Sequence, residues 1–92
     1  MHRRLYVAAI ATGSLLFCAC AQLPEPESAG AQLYESRCSG CHRTYQPGTM
    51  TFEMWKIVVG RMQGVMSRNG LRPLNDQDMT VLLDYLKRHS GQ

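Results

Sequence analysis

Cys38-Ser39-Gly40-Cys41-His42 is the stretch on which the reading of this chain turns. Two cysteines separated by two residues at the end of a helix place their sulfurs against the two vinyl groups of one porphyrin. The adjacent histidine then points its imidazole at the iron. A CxxC pair alone is ambiguous, because redox dithiols and half zinc sites share its spacing. His42 narrows the reading to haem attachment. A zinc site needs a second ligand pair, yet the other two cysteines, Cys18 and Cys20, stand in an apolar N-terminal run. A thioredoxin-like pair wants a βαβ pattern around it, and none is visible. A plain disulfide or redox dithiol is the bland alternative. The expected cofactor is one haem c per chain, covalent through Cys38 and Cys41, with His42 as a metal ligand.

The N-terminus says where such chemistry takes place. Arg3 and Arg4 precede an apolar stretch from Leu5 to Cys20, broken only by Thr12, Gly13 and Ser14, which is the layout of a secretory signal. Thioether-bound haem is assembled outside the bacterial cytoplasm, so the two signals agree on the periplasm. About 16 residues fall short of the ~20 that a transmembrane helix needs. Leu16-Phe17-Cys18-Ala19-Cys20 has the form of a lipoprotein cleavage box, with lipidation expected at Cys20. Ordinary cleavage after Ala21, releasing a soluble periplasmic protein, is the competing reading. Lipidation is preferred because it disposes of Cys20 as a stray thiol. Residues 1–20 are thus read as a signal, 21–27 as a tether kept extended by Pro24 and Pro26, and 28–92 as the haem domain.

Removal of the first twenty residues leaves about 70, a single small domain that buries little apolar surface on its own. A covalent haem supplies the missing core. Eight Lys and Arg against seven Asp and Glu after residue 20 give no case for nucleic-acid binding.

Three helices and no convincing strands are expected, an all-α fold wrapped around the haem. The first runs from about Ser28, its N-cap, to Arg37 and delivers the cysteines. Gly30, Leu33 and Tyr34 share one side of it. Pro47 and Gly48 mark a loop. The second helix runs from Thr51 to Met66, with Trp55, Val58, Val59, Met62, Val65 and Met66 on one face. Asn69 or Gly70 suits a left-handed cap. The third runs from Asp76 to His89 behind Asn75 as N-cap, with Met79, Leu82, Leu83 and Leu86 as its buried stripe. No internal repeat is present.

On these residues the chain resembles the small class I c-type cytochromes, over residues 28 to 90. The resemblance rests on Gly30, Tyr34 and the motif at 38–42, then Trp55 to Met62, then Asp84-Tyr85-Leu86. It implies that the first and last helices cross with Gly30 and Tyr34 against Tyr85 and Leu86. It also implies a distal methionine, and here the sequence departs from the usual pattern, since no methionine precedes a proline before the last helix. Met66 is the first choice of sixth ligand and Met62 the alternative, both lying on the Trp55 face. Met50 lies close after His42, Met54 falls off the face, Met79 is explained by the last helix's stripe, and His89 requires a different fold of that helix. Trp55 is expected at the haem, its indole offered to a propionate or simply buried. Arg43, Lys56, Arg61, Arg68 and Arg72 are candidates for a basic rim.

Iron closed on both sides by His42 and a methionine exchanges electrons but offers substrate no site. The function expected is one-electron transfer between periplasmic or membrane redox proteins, as a monomer or a subunit of a complex, and not an enzyme. Two alternatives belong to other classes. One is a five-coordinate haem sensor or weak peroxidase. The other is a subunit through which electrons enter a larger periplasmic oxidoreductase.

Overall fold

The computed structural model describes residues 22–40 and 43–92. The expected signal, Cys20, Cys41 and His42 therefore lie outside the described residues. Among the described residues three α-helices form: α1, Ala29–Cys38; α2, Phe52–Arg68; and α3, Asp76–His89. A 3-10 turn, Pro47–Thr49, interrupts the connection between α1 and α2. Among the described residues there is no strand, and one isolated parallel bridge joins Thr51 to Gly91. The fold is all-α, as expected.

Each helix starts on a polar side chain that satisfies an otherwise unpaired amide. Ser28 Oγ accepts from the Ala31 N–H at 3.1 Å, Thr51 Oγ1 from Met54 at 3.2 Å, and Asn75 Oδ1 from Asp78 at 2.7 Å. Asp76 and Asp78 then sit in the first turn of α3, and Lys87 and Arg88 in its last, complementing the helix dipole at both ends. α2 ends at Asn69, and Gly70 takes φ +79°, a left-handed conformation that glycine adopts without a Cβ clash. The helix runs two residues past Met66, where the expected end lay.

α1 packs on α3 at Gly30. A Cβ there would collide with the Cβ and ring of Tyr85, so the absence of a side chain sets how closely the helices approach. Tyr34, one turn on, meets the Tyr85 ring at 6.2 Å between centroids and the Trp55 ring edge-on at 5.8 Å. These three aromatics join the helices in one core with Ala31, Val59, Leu74, Leu82 and Leu86. Leu82, Tyr85 and Leu86 are fully buried. The α1–α3 crossing implied by the class I resemblance is present.

Residues 22–27 differ from the expected extended tether. They turn across the domain, with Glu25 at φ +45° and Leu23 packed against the core. Pro24 places its carbonyl to accept from the Tyr85 hydroxyl at 2.8 Å, and the Glu25 carboxylate reaches Arg88 at 2.7 Å and His89 at 3.0 Å. The prolines restrict local φ, but a buried tyrosine hydroxyl seeking an acceptor and the Arg88 and His89 side chains at the end of α3 set the path.

A candidate haem cleft

The apolar face of α2 does not spend itself entirely on the core. Trp55 and Val59 join the core cluster, whereas Met66, though buried, stands outside it, and Met62 is half-buried. Both methionines line a cleft between α2, the C-terminal end of α1 and the segment around Thr44 and Tyr45. The cleft is lined almost wholly by apolar surface and is partly open to solvent. Its walls are Trp55, Val58, Val59, Val65 and Leu82, and Leu71 stands at its edge.

Cys38 opens into this cleft at the last position of α1. Burial pushes its thiol up, with Arg37 acting in the opposite sense. A neutral S–H suits the apolar surroundings, and a thioether, which carries no charge, suits them equally. Tyr34 forms the floor. Its hydroxyl donates to the Tyr45 carbonyl at 2.6 Å, and burial, the largest effect, holds its pKa far above the ordinary phenol range. That bond and a second, from the Trp55 indole N–H to the Pro47 carbonyl at 2.7 Å, hold the segment that follows the CxxCH motif against the helices. The indole is thus committed to the backbone of the 3-10 turn and is not offered to a haem propionate. Burial of Trp55 at the cleft was legible in its helical register; the partner of its N–H was not, because the path of the 44–49 segment sets it.

Sulfur ligands can be weighed by position. Met54 is half-exposed, and Met50 and Met79 pack against the core cluster. His89 faces Glu25 and the Tyr85 ring, with 4.9 Å between ring centroids, and does not line the cleft. Of the five basic residues expected as a rim, none lines it, and Lys56 pairs with Glu53 at 3.1 Å while lying over the Phe52 ring. The basic side chain at the cleft is Arg37, which the sequence reading missed. Its position immediately before Cys38, on the turn that delivers the cysteine, was the available signal. Gln63 was missed too: it lines the cleft and joins α2 to the chain before α3. Among the described residues no group of three or more His, Cys, Asp or Glu gathers to hold another metal ion. No described helix is long and apolar enough to cross a membrane.

The donor set fits a haem. One motif cysteine opens into an apolar slot at the end of α1, aromatic and aliphatic walls face it, and two thioether sulfurs stand on the helix opposite. Fold and cleft together define a c-type cytochrome, built for haem-based electron transfer. The profile of the family described as Dihaem cytochrome c matches residues 34–92, and the chain belongs to that family. Neither curated proteins nor solved structures yield a match.

Proposed function

We propose that this chain carries one haem c in the cleft, with His42 and Met66 as axial ligands, and serves as a periplasmic one-electron carrier rather than an enzyme. What supports a count of one haem is the sequence, where Cys38 to His42 is the one CxxCH motif. A haem bound there supplies reversible one-electron exchange at its iron, and thioether ligation raises the potential relative to two histidines. Around it the chain's own residues do three things. Cys38 and Cys41 hold the group covalently. Tyr34 and Trp55 immobilise the segment behind His42 through the Tyr45 and Pro47 carbonyls. Val58, Val59, Val65 and Leu82 exclude water, which limits solvent reorganisation on electron exchange.

The observation that supports Met66 is its burial outside the packed core. A methionine that only filled the core would be found among the cluster residues; Met66 is 7% exposed yet faces the cleft. Met62, one turn earlier and half-buried, is the alternative. In the oxidised protein Met66→Ala should abolish the weak far-red band of methionine–iron coordination while Met62→Ala leaves it. The reverse outcome moves the ligand to Met62. Retention of the band in both variants refutes both assignments and opens the way to the five-coordinate sensor reading.

Export and anchoring belong to the same proposal and rest on residues 3–20. Lipidation at Cys20 would leave only a few residues before the strapped segment at 22–27, holding the domain close to the membrane where redox partners reside. Mature protein from membranes should carry acyl chains on Cys20, and Cys20→Ser should release it into the soluble periplasm. Equal membrane retention of the variant would contradict the anchor.

A further inference from the structure

The segment between α2 and α3 has no regular structure of its own and contributes Leu71 to the lining of the cleft. After Leu71, whose N–H donates to the Met66 carbonyl at 2.8 Å, residues 72–74 make no backbone-to-backbone hydrogen bond among those of the described residues. Two side chains from the cleft hold them instead. The Arg37 guanidinium donates to the Arg72 carbonyl. Gln63 Oε1 accepts from the Leu74 N–H at 2.8 Å, while its Nε2 donates to the Val59 carbonyl at 3.0 Å one turn back on α2. Leu74 is buried, so its amide has no ready replacement in water. Pro73, between the two tied residues, has no N–H to contribute.

Gln63 stands one residue after Met62 and three before Met66, on the helix that carries both sulfurs. It therefore links the methionine-bearing turns of α2 to the loop that brings Leu71 to the cleft. We infer that Gln63 is a positioning residue: by fixing Leu74 it keeps the 70–74 loop closed over the distal side of the cleft, and so keeps a methionine sulfur in place and exogenous ligands out. The inference rests on the haem reading above. Arg37 acts on the same loop from the opposite wall, joining it to the turn that delivers Cys38. The loop is thereby tied both to the helix of the attachment cysteine and to the helix of the distal sulfur.

The test uses the oxidised haem-loaded protein and cyanide as probe, since cyanide binds only where the methionine has been displaced and the cover has opened. Gln63→Leu removes both hydrogen bonds at similar size, whereas Gln63→Glu keeps an acceptor for the Leu74 amide. Cyanide association should accelerate about tenfold in Gln63→Leu, the factor that corresponds to about 1.4 kcal/mol, and should return close to the wild-type rate in Gln63→Glu. Exchange of the Leu74 amide should accelerate in parallel, and Met62 and Met66 themselves are untouched. Equal cyanide rates in wild type and Gln63→Leu, with the far-red band intact in both, overturn the inference and leave the methionine ligand standing. A wild type that already binds cyanide fast and lacks that band overturns the ligand reading, and this inference with it. Acceleration in Gln63→Leu without rescue by glutamate also counts against it, since loss of packing alone would then explain the effect.

Discussion

Trp55 shows how one side chain couples the motif to the helix opposite. It is 3% exposed, its ring meets Tyr34 edge-on, and its N–H occupies the Pro47 carbonyl. Trp55→Phe keeps an aromatic wall but leaves a buried carbonyl without its donor, which costs about 1–3 kcal/mol. Thermal unfolding of the haem-loaded variant should show that loss, and the low-spin spectrum should survive, because the indole serves the 44–49 segment and not the iron. If Trp55 bonded a propionate instead, the main effect would fall on the redox potential, with stability nearly unchanged. Gly30 makes the complementary point. Its place opposite Tyr85 was implied by the class I resemblance, and the physical reason is that only a missing Cβ lets the two helices touch this closely.

Helices were the most legible elements, because each begins on an oxygen-bearing cap and α2 and α3 carry a stripe of period 3.6. Ser28, Thr51 and Asn75 all cap as their types predict. Connections were less legible. The 22–27 segment was read from its prolines alone, whereas its course depends on partners some sixty residues away: the Tyr85 hydroxyl, Arg88 and His89. Arg88 in turn also holds Asp84 at 3.0 Å. These contacts make the strap pH-dependent. Glu25 has its pKa lowered by the hydrogen bond from Arg88 first and from His89 second. A lowered folded-state pKa stabilises above the unfolded value, about 4.3, and that stabilisation disappears as pH falls through the folded value. Glu25→Gln should therefore lower Tm near neutral pH, with the gap to wild type closing below about pH 4 and shrinking in high salt, because the pair is exposed. No gap at any pH would place the strap's contribution in Leu23 and Pro24 instead.

At the scale of the whole molecule, a short chain with few buried side chains leaves an apolar cleft beside its own core. Apolar walls of that kind are costly in contact with water, and they make physical sense as the lining of a large apolar group. That much followed from the CxxCH motif and the α2 stripe. The loop tie through Gln63 and the cleft position of Arg37 did not, because polar side chains reveal their partners only when distant backbone comes into reach. Family membership over residues 34–92 makes the chain a c-type cytochrome, and the single motif makes its haem count the central claim. Intact mass of the purified protein under denaturing conditions tests this most directly. The expected mass is that of the polypeptide plus one haem, retained after denaturation and carried by the tryptic peptide Cys38–Arg43. A bare polypeptide mass, or a mass with two haems, would contradict it.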